Sequence, residues 1–255
     1  MSVHAAAPSV VPDGMRRASD VARSIDTDGL PLSTAVESVL PWPRLRRGTT
    51  LTVASAGPAG LTSLLLALLA GPSGSGAWCA LVGAPTVSAS AIRRSGVDAS
   101  RLALVPHPGD RWESVVGALL EGIDVVAVHV PGRISPSRAA RLSAKTRRQK
   151  GVLVAFGGDG TDWPQAEARL TVEQSTWYGL GWGRGLLRHC ELTVSTRHHG
   201  RRATATVWPY GVRPEPVRRE TEQIDIGAAG VTSLADHRQK RKGVSARAIL
   251  RPPLS

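Results

Sequence analysis

Short apolar runs alternate with longer helical patterns through the middle of the chain. The runs are continuous and rich in β-branched residues, which is typical of buried strands, and they fall at residues 50–54, 78–83, 101–105, 124–130 and 151–156. The segments between them predict helices at residues 61–70, 86–95, 111–121 and 136–149. This alternation favours an α/β fold with a mainly parallel sheet that is covered on both faces.

Polar and apolar residues alternate singly after residue 156. Segments of this kind lie at residues 167–173, 189–195 and 203–209, and turns rich in glycine or arginine join them. Single alternation is typical of strands with one solvated face. We therefore predict that these segments extend the sheet in antiparallel fashion.

The two ends of the chain lack such regular patterns. Residues 1–39 predict an N-terminal arm with short helices at 15–25 and 33–40. Residues 211–255 combine prolines with basic residues and predict a basic, flexible tail. The folded core is then expected over residues 40–210.

The stretch 54-ASAGPAGLTSLLLALL-69 has part of the pattern of a phosphate-binding loop. That pattern, G-x-x-x-x-G-K-[ST], holds phosphates with backbone N–H groups and a lysine, and Mg²⁺ with a hydroxyl. Gly60 and Thr62 occupy the positions of the second glycine and the hydroxyl, whereas Leu61 replaces the lysine. We expect a degenerate loop without bound nucleotide, formed by Ser55, Gly57, Gly60, Leu61 and Thr62.

A Mg²⁺ ion bound with a nucleotide also needs a carboxylate at the end of a neighbouring strand. The candidate run, 124-DVVAVHV-130, ends its apolar core in His129 instead of an aspartate. Neutral imidazole is a poor ligand for a hard cation that prefers oxygen. The only cysteines, Cys79 and Cys190, are far apart and form no zinc motif. We expect no metal and no cofactor.

Two stretches resemble the core of the RecA recombinases. The first, 79-CALVGAPTVSASAIRRSGVDASRLAL-104, is similar to the segment that follows the phosphate-binding loop in that family. The second, 150-KGVLVAFGG-158, is similar to the strand that ends in the glutamine sensing the γ-phosphate. The resemblance covers roughly residues 40–195 and implies a RecA-like three-layer fold.

The same resemblance implies that the catalytic groups of the family are missing. Pro85 stands where the water-activating glutamate would be, and Gly158 stands where the glutamine would be. Together with Leu61 and His129, these residues mark four lost positions in one predicted site. We therefore expect a pseudo-ATPase rather than an enzyme.

The chain is identified as a member of the actinobacterial RecA-like accessory proteins of the mutasome, the ImuA-prime type. The degenerate loop, the Trp- and Gly-rich segment before an E-L-T-V strand and the Arg-rich tail carry this resemblance. It implies a non-catalytic adaptor in translesion DNA synthesis, which binds an inactive Y-family-like polymerase subunit. It also implies indirect support for an error-prone replicative-type polymerase during the response to DNA damage.

The charge of the chain points to an anionic partner. The sequence has 32 Lys and Arg against 20 Asp and Glu, a net charge of +12. Such a balance favours contact with nucleic acid or with an acidic protein surface. The sequence shows neither a signal peptide nor an apolar run long enough to span a membrane. We expect a cytoplasmic, nucleoid-associated protein without membrane contact.

Four basic residues share one face of the helix predicted at 136–149. They follow each other at spacings of three and four positions, and they are Arg138, Arg141, Lys145 and Arg148. They are candidate DNA contacts, because such a stripe can follow phosphates. The alternative is a solvated outer face, which the absence of interleaved aromatic residues favours.

The segment 175-STWYGLGWGRG-185 combines aromatic residues with glycine and arginine. Aromatic residues and arginine are enriched where proteins bind each other. The candidate partner-binding residues are Trp177, Tyr178, Trp182 and Arg184, with Arg218, Arg219, Arg238 and Arg241 of the tail. The alternative is a connector whose aromatic rings cover the edge of the sheet.

Two other functions stay open on the sequence alone. One is a RecA-like, ATP-dependent recombination or repair protein, which would use the loop at residues 54–62 as a nucleotide site. The other is a module that binds DNA directly through the basic helical face.

Overall fold

The computed structural model of the protein describes residues 29–57, 59–157, 163–181, 184–211 and 224–225. For residues 180–181, 184–188 and 224–225 it describes the backbone only. In chain order the elements are β1 (Leu30–Pro31), β2 (Arg44–Leu45), β3 (Thr50–Ser55), α1 (Leu61–Gly74), β4 (Cys79–Val82), α2 (Ala89–Arg94), a 3-10 helix (Ala99–Arg101), β5 (Leu102–Val105), α3 (Trp112–Leu119), β6 (Val125–His129), α4 (Pro136–Arg148), β7 (Val152–Phe156), β8 (Ala168–Gly181), β9 (Arg184–His198), β10 (Arg201–Val207) and β11 (Ile224–Asp225).

One large sheet organises the fold. Its strand order is β10-β9-β8-β3-β7-β6-β4-β5, and β11 pairs with the far half of β8. The strands from β8 to β5 in that order are parallel to each other, whereas β9 is antiparallel to both of its neighbours. The prediction of a mixed α/β fold with a mainly parallel sheet and an antiparallel extension is confirmed.

Alternate residues of the central strands face two separate hydrophobic cores. In β6, Val125 and Ala127 belong to the first core, and Val126 and Val128 belong to the second. Helices α1 and α2 cover the first core, whereas α3 and α4 cover the second. Side chains of a strand point to opposite faces in turn. Burial on both faces therefore explains why the strand runs are continuously apolar.

Helix α1 is apolar around its whole circumference because protein covers it on both sides. All residues from 64 to 70 are buried. One side of the helix lies on the sheet, and the segment after β1 covers the other side with Leu32 and Val36. The Ser33 hydroxyl donates a hydrogen bond of 2.8 Å to the Ala67 carbonyl and fixes this cover in place. A helix without a polar face needs such burial on all sides.

The prediction of a helix at residues 33–40 is wrong. Residues 34–39 form successive turns, in which the Val36 N–H bonds to the Ser33 carbonyl and the Val39 N–H bonds to the Val36 carbonyl. The segment is short and lies between Pro31 and Pro41, so it cannot propagate a stable helix. Its shape is set by the surface of α1 on which it packs. The other helix predicted in the arm, at 15–25, lies outside the described residues.

The segment of residues 30–40, which we call the covering segment, passes close to α1 at Gly71. A Cβ atom at this position would lie 2.5 Å from the carbonyl carbon of Leu32 and 2.5 Å from the carbonyl oxygen of Pro31. Both atoms belong to the main chain, which cannot rotate away as a side chain can. The crossing therefore requires glycine for space.

Within the described ranges, no helix combines the length and the apolar character needed to cross a membrane.

We predict that Gly71→Ala destabilises the protein because the added methyl group would overlap main-chain atoms. Overpacking of this kind costs about 1–3 kcal/mol in the free energy of unfolding, which urea denaturation measures. Gly74→Ala is the matched control, since it lies in the same helix and its Cβ would meet nothing within 4 Å. The control is expected to be neutral or slightly stabilising, because alanine favours helix. Equal effects of the two substitutions would contradict this account.

Candidate functional site

The carboxyl ends of the central parallel strands meet at one edge of the sheet. Ser55 ends β3, Gly83 follows β4, His129 ends β6 and Gly157 follows β7. Open α/β sheets generally bind ligands at this edge, in the crevice beyond the strands. The loop that joins β3 to α1 lies here, so this edge is the candidate site predicted from the sequence.

Gly60 is the N-cap residue of α1, and side chains of the antiparallel extension enclose it. Its φ angle is 94°, a left-handed conformation that favours glycine. A Cβ atom would lie 2.9 Å from Leu192 Cδ2 and 3.0 Å from Val172 Cγ1. The glycine is therefore required by its backbone angle and by packing against β8 and β9. Neither requirement involves a ligand.

The loop between β3 and α1 also bonds to itself and to β8. The Ser55 hydroxyl donates to the Ala59 carbonyl at 3.1 Å, and the Ala56 N–H donates to the Val172 carbonyl at 2.9 Å. The Ser55 hydroxyl, the Ala59 carbonyl and the Ala56 N–H are thus satisfied by protein. Gly57 in this turn is exposed, and a Cβ there would meet nothing within 4 Å.

The residues at the lysine and hydroxyl positions of the loop have different surroundings. Leu61 is half-buried and packs against the first core. Thr62 is exposed in the first turn of α1. An apolar side chain at position 61 adds to the burial of α1 and provides no charge for a phosphate. Thr62 lies at the surface, and Leu61 beside it supplies no positive charge.

His129 is held by packing at the end of β6. Its ring meets the ring of Phe156 edge-on, with centroids 5.6 Å apart, and a Cβ at Gly83 would lie 2.8 Å from the His129 Cβ. From the sequence, we expected His129 to end the strand next to the one that leads into the loop. This expectation is wrong, because β7 lies between β6 and β3. The spatial order of the strands in a parallel sheet cannot be read from their order along the chain.

The other two positions at which the resemblance predicts lost catalytic groups are Pro85 and Gly158. Pro85 is exposed in the turn that follows β4. Gly158 lies outside the described residues, immediately after Gly157. Within the described ranges, no three His, Cys, Asp or Glu side chains come together in an arrangement that could hold a metal ion.

Both cysteines are buried and remain protonated at neutral pH. Burial, followed by the charge of Asp124, raises the pKa of the Cys79 thiol to about 12. Burial, followed by the charge of Glu191, raises the pKa of the Cys190 thiol to about 12. The thiolate is the reactive and metal-binding form of cysteine. Neither residue is therefore prepared for nucleophilic or redox chemistry.

Three of the four basic residues on α4 form ion pairs with α3 and the turn after it. Arg138 Nε lies 2.9 Å from Glu113 Oε1, and Arg141 Nη2 lies 3.4 Å from Glu113 Oε2. Lys145 Nζ donates to Glu121 Oε1 at 2.7 Å, and this bond lowers the pKa of the Glu121 carboxyl. The Glu113 carboxylate is buried, so two arginines stabilise a charge inside the helix contact. These pairs favour a structural role for this face.

The segment around Trp177 is not a connector but the far half of β8. Two register irregularities, between Val172 and Gln174 and between Tyr178 and Leu180, let the strand continue beside β9. The Trp177 ring is 5.7 Å from Tyr210, and the Tyr178 ring stacks at 5.9 Å on Trp208.

The remaining candidate partner-binding residues carry no described side chains. Arg184 begins β9, where the structure describes only the backbone. The others, Trp182, Arg218, Arg219, Arg238 and Arg241, lie outside the described residues. Of the predicted set, Trp177 and Tyr178 are the residues whose side chains the structure describes.

Sequence reasoning missed a pocket of about 680 Å³ beside these rings. It lies between the covering segment, the end of α2 and the residues after β10. Tyr210 forms part of its wall, and the Tyr210 hydroxyl is 2.8 Å from the Ser63 hydroxyl. The aromatic residues at 208 and 210, directly after the last long strand, are the signal that could have indicated a functional surface.

The chain is similar to proteins of one described family. A family model described as the MT3502 N-terminal domain matches residues 38–165. The chain is also 34% identical over 114 residues to the uncharacterized protein Rv3395c of Mycobacterium tuberculosis. This alignment covers 44% of the chain and 54% of the relative, so the chain matches about half of the relative's length.

We predict that Arg138→Glu lowers the free energy of unfolding by about 1 kcal/mol or more, because it places a second carboxylate beside buried Glu113. Arg148→Glu makes the same change of charge at a residue that takes no part in these ion pairs, and it is expected to alter stability by less than about 0.5 kcal/mol. Urea denaturation of both variants measures the difference. A fall in affinity for a short DNA duplex in Arg148→Glu, with a weaker salt dependence, would instead support phosphate contact by this face.

Proposed function

The chain belongs to the family of the MT3502 N-terminal domain, and we propose that it is a non-catalytic, RecA-like adaptor in damage-induced translesion DNA synthesis. Its partner in this proposal is an inactive Y-family-like polymerase subunit. Through that subunit it supports an error-prone replicative-type polymerase. The mainly parallel sheet with helices on both faces supports the RecA-like part of the proposal.

The packing around Gly60 carries the proposal. In a working phosphate-binding loop, backbone N–H groups and a lysine surround the phosphates. Here Leu192 and Val172 pack against the loop, and Ala56 bonds to β8. Leu61 is used to extend the first core. The loop therefore acts as a structural joint between the parallel sheet and its antiparallel extension, which suits a protein that binds a partner and does not turn over ATP.

The charge distribution on α4 supports a protein partner more strongly than a continuous DNA-binding surface. The chain carries a net charge of +12. On α4, the basic residues best spaced to follow phosphates are bound instead to Glu113 and Glu121. A DNA-binding face needs cations that pair with phosphates rather than with neighbouring carboxylates. A direct DNA-binding role consequently has weaker support than an adaptor role.

We predict that the full chain neither hydrolyses ATP nor gains thermal stability from Mg²⁺ and ATP, with or without single-stranded DNA. A ligand that binds the native state raises the midpoint of thermal unfolding, so a thermal shift together with phosphate release tests both points. Leu61→Lys alone is expected not to restore hydrolysis, because the neighbouring loop stays packed against β8 and β9. Mg²⁺-dependent hydrolysis that Thr62→Ala abolishes would overturn the adaptor proposal.

We also predict that the tagged full chain recovers an inactive polymerase subunit from cells exposed to a DNA-damaging agent. The matched control is the same capture from undamaged cells, in which recovery should be lower because the partner is expected to be damage-induced. Mass spectrometry of the captured proteins gives the readout. Capture of the same partners at equal levels in both conditions, with no DNA polymerase subunit among them, would contradict the proposed role.

A further inference from the structure

A second edge of the sheet lies opposite to the one that holds the loop at Gly60. It is formed by the amino ends of the five parallel strands from β3 to β5 in sheet order, and we call it the amino edge. Neighbouring strands lie about 4.8 Å apart, so four spacings make this edge about 19 Å wide. The turns that lead into these strands place here, in sheet order, Arg47, Lys150, Asp124, Trp78 and Arg101.

Contacts between these turns join them into one surface. The Gly48 N–H donates to the Gly151 carbonyl at 2.6 Å, which ties the turn before β3 to the turn before β7. Arg47 Nη1 lies 2.8 Å from Asp124 Oδ1, and Asp124 Oδ2 accepts a hydrogen bond of 2.9 Å from the Trp78 N–H. One carboxylate therefore links three turns, and the turns of the amino edge keep fixed positions relative to each other.

The turn between α4 and β7 concentrates positive charge on this surface. It contains Arg147, Arg148 and Lys150, and all three residues are exposed. None of their side chains forms an ion pair with a described carboxylate, in contrast to the cations nearer the start of α4. The dipole of a helix favours cations in its last turn, which explains Arg147 and Arg148. Lys150 follows the cap residue Gln149 and lies beyond that turn.

Lys150 also has a backbone conformation that favours glycine. Its φ angle is 53°, in the left-handed region, and glycine is the common residue at this position after a helix. The Lys150 N–H bonds to the Arg147 carbonyl at 3.2 Å, and the Lys150 carbonyl accepts a hydrogen bond of 3.3 Å from Arg47 Nη1. The protein therefore satisfies the backbone of this residue. Its side chain contributes a third positive charge to the exposed turn.

Trp78 supplies apolar surface beside these charges. Its exposed fraction is 42%, and among the described residues Trp78 and Leu104 are the two large apolar side chains that lie exposed. The Arg101 guanidinium carbon lies 5.1 Å from the centre of the Trp78 ring, a distance typical of a cation–π contact. This contact holds the indole in one orientation, and a preorganised side chain reduces the cost of binding. Tryptophan and arginine are enriched among the residues that dominate the energy of protein interfaces.

We propose that the amino edge binds an acidic segment of a partner protein. Carboxylates of the segment pair with Arg147, Arg148 and Lys150, and an apolar side chain of the segment packs on Trp78. Guanidinium groups suit carboxylates because they donate two parallel hydrogen bonds. The turn before β7 and the residue before β4 are separated by two strand spacings, about 10 Å, which about three residues of an extended chain can span.

A peptide fits this surface better than a nucleic acid does. In sheet order Asp124 lies between the exposed turn and Trp78, so a nucleic acid that followed the edge would bring phosphates to a fixed carboxylate. Nucleic acids carry a charge at each nucleotide, whereas the charge of this edge is concentrated within residues 147–150. Arg47 is neutralised by Asp124, and Arg101 faces the indole. The inference depends on this surface alone and does not require the translesion role.

A pool of random peptides of about twelve residues, displayed on phage, tests the proposal with the full chain as bait. The expected result is enrichment of sequences that combine several Asp or Glu with an apolar residue. The most enriched peptide, labelled with fluorescein, then gives an affinity by fluorescence polarisation. A version of that peptide with Asn and Gln in place of Asp and Glu is expected to bind about tenfold more weakly or worse. No enrichment, or equal binding of the two peptides, would overturn the proposal.

Charge reversal shows whether the peptide binds at the amino edge. Arg147→Glu combined with Lys150→Glu is expected to weaken the selected peptide about tenfold or more, because attraction becomes repulsion. Arg111→Glu combined with Arg133→Glu is the matched control, since both residues are exposed and lie at the opposite edge of the sheet. The control changes the net charge equally and should stay within about twofold of the unchanged chain. Equal losses in the two double variants would show that net charge alone attracts the peptide, which contradicts the proposal.

Trp78→Ala tests the apolar contact independently of charge. It is expected to weaken the peptide about fivefold or more, because it removes the aromatic surface. Leu104→Ala removes the other exposed apolar side chain and should stay within about twofold. Circular dichroism checks that every variant is folded. An affinity of Trp78→Ala equal to that of the unchanged chain would refute the proposed contact.

Two other occupants would also overturn the proposal. If a short strand of oligo(dT) displaces the peptide and loses affinity in Arg147→Glu combined with Lys150→Glu, the amino edge is a nucleic-acid site. If sedimentation shows a dimer of the free chain that the same double variant dissociates, a second copy of the chain occupies the edge. A monomer whose peptide complex resists the oligonucleotide is the result that supports a partner peptide.

Discussion

The complete burial of helix α1 is the constraint on which the rest of the structure depends. Residues 64–70 carry no polar face, so the helix is stable only if protein covers it on every side. The sheet covers one side, and the segment from β1 to residue 40 covers the other. The close crossing at Gly71 and the bond between Ser33 and Ala67 both serve this cover. Regions outside the regular α/β pattern thus belong to the same hydrophobic core.

Apolar side chains of the antiparallel extension enclose the turn into α1. Gly60 has a left-handed angle that lets the chain turn from β3 into the helix. The atoms that surround it come from β8 and β9, and Leu61 joins the first core. At the same edge, His129 packs on Phe156. Apolar contacts therefore stabilise the turn, where a nucleotide-binding protein would use charged groups and phosphate.

Local periodicity was sufficient to predict most of the secondary structure and the mixed character of the sheet. Continuous runs such as 124–130 gave strands because both of their faces are buried, and the helices between them lie close to the predicted positions. The pattern at 33–40 failed, because contact with α1 decided the conformation of a segment too short to be helical by itself.

The parts of the candidate site that escaped prediction all depend on contacts between distant segments. The position of β7 between β3 and β6 follows from the order of pairing, which periodicity does not record. The basic stripe on α4 was visible in the sequence, but its pairing with Glu113 depends on how α3 lies beside α4. The pocket near Trp208 joins segments separated by more than a hundred residues along the chain. Single-residue patterns contain none of this information.

The contact of Gly60 with Val172 and Leu192 also affects when the core can be completed during synthesis of the chain. The region that matches the family model ends at residue 165, before β8 begins, so the residues that enclose the loop follow that region in the chain. Chains are synthesised from the N-terminus, and contacts between remote positions form late in folding. During synthesis the loop and α1 therefore exist before their enclosing strands do. Leu170, Val172 and Leu192 of these strands belong to the first core, so an unfinished chain that ends before β8 leaves the apolar residues of α1 without these neighbours.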